Sequence, residues 1–167
     1  MEQRSLLIAW LQDAYAMENA LEKVLENHAS DTRDHPQLQV KIREHLQATR
    51  RHAEMVRECL ERNGDTASTV KTGIGSLVGW MQGLSTDAAD DELVKNLLAD
   101  YAAEHFEIVC YRALIVAAEE IGDSRTASTC REILEEEETM ANWLGMNIPS
   151  AVRETMQKRS VENQAGR

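Results

Sequence analysis

Apolar side chains recur along most of this chain at alternating steps of three and four residues. This spacing places them on one face of an α-helix, whereas a half-buried strand would alternate with a period of two. Short connectors near residue 33 and near residue 123 join the first two helices and the last two helices into hairpins. The pattern predicts an all-α chain with four long helices, at residues 5–29, 36–63, 91–121 and 125–144.

The connection between the second and third helices is much longer, at residues 64–90. It can return along the whole bundle, so these two helices need not be antiparallel neighbours. Its apolar residues at 74–84 predict a short helix that lies on the bundle. Asn147-Ile148-Pro149 predicts the end of the fourth helix, which a short helix at 150–159 follows. We therefore expect one domain at 1–159 and a disordered tail at 160–167.

Each apolar stripe is interrupted by ionisable residues near the middle of its helix. A buried carboxylate costs several kcal/mol unless a partner compensates its charge. The interruptions therefore predict a polar site inside the bundle rather than four unrelated surface positions. The interrupting residues are Glu18 in the first helix, His45 and His52 in the second, Glu104 with Glu107 in the third, and Glu137 in the fourth.

These interruptions fall at matching levels. In the first hairpin Glu18 faces about residue 48, which lies between His45 and His52. In the second hairpin Glu104 faces about residue 142, within one turn of Glu137. Such a layer resembles a carboxylate-bridged dinuclear metal site, in which two helices give one Glu each and two give a Glu-x-x-His. Carboxylates with imidazole suit iron or manganese.

The Glu-x-x-His motif itself is absent. Met140 stands three residues after Glu137, and Thr49 and Ile42 stand three residues before the two histidines. The pattern favours a ferritin-like bundle with a reduced ligand set. His45 is about even between metal ligand and core histidine, whereas His52 is expected to be structural or to face solvent.

Several neighbouring assignments stay open. A shift of one residue would exchange Glu137 for Glu136, and Glu107 could be a ligand or lie just outside the ligands. Tyr101 and Tyr111 could bond the carboxylates or fill core space. The remaining histidines are expected at the surface, at positions His28, His35 and His105.

Composition narrows the choice of function. The 167 residues carry a net charge of −11, which argues against nucleic acid and anionic membranes as main partners. No apolar stretch approaches the length of a membrane span and no signal peptide is visible, so we expect a cytoplasmic protein. Three cysteines, all within helical segments, indicate reduced thiols rather than a disulfide framework.

Four segments resemble the YciE/YciF-type ferritin-like stress proteins, and the match is nearer the YciE branch. These segments are WLQDAYAMENAL, REHLQATRRH, AAEHFEIVCYRALIVAAEEIGD and ILEEEETMANWLGMNIP. The resemblance implies an up-down-down-up four-helix bundle, a cytoplasmic homodimer and a role in bacterial stress responses. Carried over by position, it implies a metal site of Glu18, His45, Glu104, Glu107 and Glu137.

Two functions of different classes follow from these features. The first is a metal-binding, oxidoreductase-like protein that handles iron, manganese or peroxide at a dinuclear centre. The second is a structural or interaction protein that kept the bundle and lost the metal. The missing Glu-x-x-His motifs favour the second, and the retained glutamates favour the first. An iron-storing cage is a third, weaker possibility.

Overall fold

The computed structural model describes residues 2–66 and 91–165 of the chain. This part of the chain contains helices and turns but no strand, so the predicted all-α fold is confirmed. No described helix contains an apolar stretch that could span a lipid bilayer. The helices are α1 (Glu2–Asp31), α2 (Pro36–Arg62), α3 (Glu92–Glu120) and α4 (Ser124–Ala165).

The helices form an up-down-down-up bundle. α1 packs along α2, and α3 packs along α4. The two hairpins then meet through α1 against α3 and α2 against α4. The end of α1 lies beside the start of α3, where His28 contacts Asp100, so these helices are antiparallel. The predicted topology is confirmed, and it brings the middle of all four helices to one level.

The apolar core lies on both sides of that middle level. One apolar cluster fills the end of the bundle that contains Leu7, Leu60 and Leu114. Two smaller clusters fill the other end, around Ile42 and Leu144. Burial of these stripes supplies most of the helical stability, because isolated helices are marginal in water. The polar layer therefore lies between apolar clusters at both ends of the bundle.

The α3–α4 turn combines a left-handed glycine with a side-chain cap. Gly122 adopts a φ of 74°, a left-handed conformation that costs glycine little. The Asp123 carboxylate then accepts hydrogen bonds from the backbone N–H and the hydroxyl of Thr126, at 3.1 and 2.6 Å. Asn63 at the end of α2 donates to the same carboxylate at 3.0 Å. This contact ties the ends of the two hairpins together.

The prediction that Asn147-Ile148-Pro149 ends the fourth helix is wrong. α4 continues through Pro149, and the segment at 160–165 is also helical. The residue four positions before the proline is Gly145, which has no side chain to add to the crowding at the proline ring. Beyond the proline, Ala151 packs on Leu97 and Leu144. Tertiary packing therefore outweighs the local cost of proline.

The surface predicted for dimerisation, at 74–84, lies outside the described residues. The homodimer stays a prediction. Sedimentation of the full chain at micromolar concentration should show a species of twice the mass of the chain, and a monomer alone would contradict it.

Thiol reactivity should separate the three cysteines. Cys59 and Cys130 are buried, whereas Cys110 is partly exposed. Burial raises the pKa of the Cys130 thiol to about 12 and also raises the pKa of Cys110. Because the thiolate is the nucleophile, we expect slow labelling of the native protein, with Cys110 reacting before the other two. Mass spectrometry of samples quenched over time would show this order, and early labelling of Cys130 would contradict it.

Candidate metal centre

Six ionisable side chains from all four helices meet in the polar layer between the apolar clusters. Each of them is at most 6% exposed. Every helix contributes, because the ionisable side chains lie on the same helix face as the apolar side chains of the stripe and so point into the bundle. The six are Glu18, His45, His52, Glu104, Glu107 and Glu137.

Two groups of three residues have their ligand atoms close enough to hold a metal ion. The first group consists of Glu18, His52 and Glu137. His52 Nδ1 lies 2.7 Å from Glu137 Oε1 and 4.0 Å from Glu18 Oε2. The three side chains come from α1, α2 and α4, so this group forms only when both hairpins are packed.

The second group consists of His45, Glu104 and Glu137. His45 Nε2 lies 2.8 Å from Glu104 Oε1 and 3.7 Å from Glu137 Oε2. Glu137 therefore belongs to both groups, and it presents one carboxylate oxygen to each imidazole. This is the arrangement that a bridging carboxylate requires.

Glu107 lies beside both groups without belonging to either. It is 2% exposed. Burial raises the pKa of its carboxyl group, and the negative charges of Glu137, Glu18 and Glu104 raise it further. These influences are those expected for a buried carboxyl group near the other acidic side chains of the centre.

The carboxyl groups of the centre differ in their preferred protonation state. Burial, with the charge of Glu137, raises the pKa of Glu18 to about 8 and the pKa of Glu104 well above its usual range. Burial also acts against the charge of Glu137, but its contacts with His52 and His45 outweigh this and lower the pKa of Glu137. Burial thus favours the protonated form of Glu18, Glu104 and Glu107, whereas the two imidazoles favour the ionised form of Glu137.

The two histidines differ in the same way. Burial opposes the charge of His52, yet its contacts with Glu137, Glu18 and Glu136 raise its pKa to about 9. Burial dominates at His45 and lowers its pKa. The metal-free centre thus has a His52 imidazolium paired with the Glu137 carboxylate.

Two buried oxygens of the centre, Glu18 Oε2 and Glu104 Oε2, lack a hydrogen-bond partner among the described residues. The two oxygens of Glu137 face the imidazoles of His52 and His45, at 2.7 and 3.7 Å. A buried oxygen without a partner costs free energy, and native proteins contain few of them. A cation bound between these oxygens would supply the missing interaction. The residues present therefore fit a hard or borderline divalent metal ion.

A second layer of contacts holds the candidate ligands in place. The Tyr111 hydroxyl donates a hydrogen bond to Glu18 Oε1. His52 Nε2 lies 3.0 Å from Glu136 Oε2, which also accepts a hydrogen bond from Arg51 at 2.8 Å. Such contacts orient a ligand and fix the imidazole tautomer. Tyr111 therefore bonds a carboxylate as well as filling core space.

The structure brings together most of the side chains that the sequence analysis selects. Glu18, His45, Glu104 and Glu137 lie in the two groups, and Glu107 adjoins them. On α4, Glu137 is buried whereas Glu136 is partly exposed, which decides the register.

One expectation about histidines is wrong, and a second is wrong in one of its two alternatives. His52, expected to be structural or to face solvent, does not face solvent, since it is fully buried and lies in the first group. His28 is not at the surface, because it is 3% exposed and its Nδ1 lies 2.6 Å from Asp100 Oδ1. Two further buried polar residues, Asn96 and Asp100, are not among the predicted site residues, although both are only 1% exposed. They precede Glu104 on α3 at successive steps of four residues, and this spacing is the signal that could have found them.

Three solved structures share this fold. A protein of Xanthomonas campestris pv. campestris is 33% identical, with a TM-score of 0.82, and the match covers 96% of this chain and 99% of that chain. The Escherichia coli stress protein YciF is 22% identical, with a TM-score of 0.80 and coverage of 90% and 97%. A bacterioferritin of Desulfovibrio desulfuricans, which has a diiron site, is 24% identical, with a TM-score of 0.71 and coverage of 92% and 83%.

These similarities confirm the ferritin-like fold and the resemblance to YciE/YciF-type proteins. The match to a family model extends over residues 2–157, which include all four helices up to the last turns of α4. The chain therefore belongs to the family described as Domain of unknown function (DUF892).

Proposed function

We propose that this protein is a ferritin-like stress-response protein that binds two iron or manganese ions in the core of its bundle. The observation that carries the proposal is that two groups, each with an imidazole and a carboxylate of its own, share the two oxygens of Glu137. The diiron site of the bacterioferritin that shares the fold supports this assignment, and the name of YciF supports the stress role.

The ligands divide between two positions. Glu18 and His52 would hold one ion, His45 and Glu104 would hold the other, and Glu137 would bridge them. Iron or manganese would supply redox chemistry, including reaction with peroxide. The chain would hold the ions, keep bulk water out by the apolar clusters on either side, and hold protons on its carboxyl groups when the ions are absent.

The ligand set is less reduced than the missing motifs suggest. Met140 leaves α4 without a histidine, but α2 supplies His45 to one group and His52 to the other. These two residues are one heptad apart, so both point from α2 into the bundle. Each position therefore has one imidazole, although both come from a single helix.

Titration calorimetry of the metal-free full chain with Fe²⁺ under anaerobic conditions, and with Mn²⁺, tests the proposal. We expect about two ions per chain, the number that a shared carboxylate between two groups accommodates. Metal analysis of protein purified without chelators should find the same ions. Binding of neither ion above background would overturn the proposal.

Replacing each histidine separately should remove one position. We expect His45→Gln and His52→Gln each to bind about one ion per chain, because each imidazole serves one group. Glutamine keeps a similar volume without the imidazole nitrogen. Calorimetric stoichiometry with Mn²⁺ checks this. If His52→Gln still binds two ions, His52 only supports the centre.

A structural or interaction protein with a metal-free centre is the second candidate function. The His52 imidazolium beside Glu137 and the Tyr111 hydrogen bond to Glu18 favour it, since they partly compensate the buried charges without a metal. This candidate predicts no metal uptake in the same titrations. Glu18 Oε2 and Glu104 Oε2, which lack a hydrogen-bond partner among the described residues, favour the metal-binding function instead.

A further inference from the structure

A row of buried polar side chains connects the centre to one end of the bundle. Asn96, Asp100 and Glu104 follow one another on α3 at steps of four residues, and each is 1% exposed. Side chains at this spacing lie one above the other on the same face of a helix. From Asn96 to Glu104 the row extends roughly 12 Å, at 1.5 Å per residue.

Two oxygens of this row have no hydrogen-bond partner among the described residues. They are Asn96 Oδ1 and Asp100 Oδ2. Their neighbouring atoms are engaged: Asp100 Oδ1 lies 2.6 Å from His28 Nδ1, and Asn96 Nδ2 donates to Asp31 Oδ2 at 3.3 Å. The fold thus holds two side chains in place while leaving one oxygen of each without a partner, which a purely structural contact does not require.

The outer end of the row opens into a cavity of about 170 Å³, which Asn96 lines. The cavity has more negative than positive groups, since Lys158 is accompanied by four carboxylates, from Asp31, Asp34, Glu92 and Glu154. A concave surface with this excess of negative charge concentrates cations. Asp31 is exposed and contacts Asn96, so it connects the cavity to the buried row.

The inner end of the row reaches the centre. Asp100 lies one helical turn before Glu104, whose Oε1 is 2.8 Å from His45. The negative charge of Asp100 contributes to the raised pKa of Glu104, although burial and Glu137 contribute more. The same charge acts to raise the pKa of His45, against the larger effect of burial. The row is therefore continuous from solvent to the second group of candidate ligands.

We propose that Asn96 and Asp100 form a further binding position for a divalent cation, through which cations pass from the end of the bundle to the centre. The inference rests on the proposed function, because a centre that takes up no metal needs no access route. An amide oxygen and a carboxylate oxygen are ligands that hard divalent cations accept in partly hydrated form. Two such oxygens bind weakly, as a position of passage must.

A second approach to the centre exists between α2 and α4. There a cleft of about 320 Å³ has His45 and Met140 among its lining residues. Of its four carboxylates, those of Glu44, Glu132 and Glu135 are exposed. The fourth, Glu136, accepts a hydrogen bond from Arg51 and lies 3.0 Å from His52. Among the described residues, none of the carboxylates that line the cleft has a buried oxygen without a hydrogen-bond partner. We therefore assign passage of the cation to the row on α3. The two routes are separated by testing residues from each.

The test measures uptake of Co²⁺ by the metal-free full chain in a stopped-flow instrument, together with release and the equilibrium Kd. Asn96→Leu keeps the volume and the net charge and removes the amide oxygen. We expect the rates of uptake and release both to fall about tenfold, because one contact of about the strength of a hydrogen bond is lost from the route. The Kd should stay the same. Asp100→Asn should slow uptake as well, and Glu135→Gln, on the cleft, should match the parent.

The outcomes separate the two proposals. If the parent takes up none of Co²⁺, Fe²⁺ and Mn²⁺, the proposed function fails and the access route fails with it; if it takes up Mn²⁺ but not Co²⁺, the same rates are compared for Mn²⁺. If the parent takes up Co²⁺ and Asn96→Leu takes it up at a rate within about twofold of the parent, only the access route is overturned. A twofold difference is about the size of effect that ordinary surface substitutions produce. A change in Kd as large as the change in rate would show that Asn96 acts on the centre. Circular dichroism checks folding, and Asp100→Asn decides if Asn96→Leu does not fold.

Discussion

We expect Glu137→Gln to abolish metal binding at both of the proposed positions. Glu137 is the one residue that belongs to both candidate groups, and its two oxygens face two different imidazoles. Glutamine keeps the shape but removes the charge and one of the two acceptor oxygens. We expect affinity for Mn²⁺ to fall at least ~100-fold, beyond the 10–100-fold typical of a residue that only supports a ligand. Titration calorimetry measures the loss.

Glu138→Gln is the matched control for this variant. It makes the same change of charge one residue along α4, at a partly exposed side chain that pairs with Arg112. We expect its Mn²⁺ affinity and stoichiometry to equal those of the parent, because exposed ion pairs are screened by solvent. Binding by Glu137→Gln within a few-fold of the parent would contradict the bridging role. An equal loss in both variants would show only a general effect of charge.

The fold could be predicted because its signals are local and repeated. The apolar stripes repeat over several turns of every helix, and the turns near residues 33 and 123 are short. Short turns force antiparallel hairpins, and matching interruptions then align the hairpins at one level. The continuation of α4 through Pro149 could not be predicted, since it depends on the packing of Ala151 against residues distant in sequence.

The site could be predicted only as far as a single stripe on each helix shows it. Glu18, Glu104 and Glu137 interrupt apolar series, so their burial is visible in the sequence. A heptad step leaves His45 and His52 on the same face, and the sequence alone does not show that the two histidines serve different groups. That division depends on where Glu18 and Glu104 lie across the bundle.

The sequence does not reveal the buried row of Asn96 and Asp100 on α3, for a related reason. Leu97 and Tyr101 lie next to Asn96 and Asp100 around the helix, and they continue the apolar stripe more simply. A helix packed between two neighbours buries a face wider than one stripe, so both pairs are directed inward to some degree. His28 was missed because it lies close to a connector, where a polar residue is expected to be exposed. Its partner Asp100 lies 72 residues further along the chain.

Raising the pH from 6 to 9 should destabilise the metal-free protein. Folding raises the pKa of Glu18 from its ordinary value of 4.5 to about 8, and that of His52 from 6.5 to about 9. At a pH between the ordinary and the raised pKa of such a group, the folded chain holds a proton that the unfolded chain has released. The free energy of unfolding therefore falls as the pH rises through this range. Glu104 and Glu107 act in the same direction. The lowered pKa of His45 has the opposite effect around its ordinary value of 6.5, and the lowered pKa of Glu137 has it only below its ordinary value of 4.5.

Thermal unfolding followed by circular dichroism in the presence of a chelator measures this dependence. We expect Tm to fall by about 5 °C or more between pH 6 and pH 9, which corresponds to about 2 kcal/mol for a chain of this size. Glu18→Gln should flatten the dependence, because an uncharged amide does not titrate, whereas Glu138→Gln should leave it unchanged. Saturating Mn²⁺ should reverse the slope, since ligands must release their protons to bind a metal and affinity rises with pH. A metal-free Tm that stays level or rises over this range would show that Glu18 and His52 do not hold protons at neutral pH.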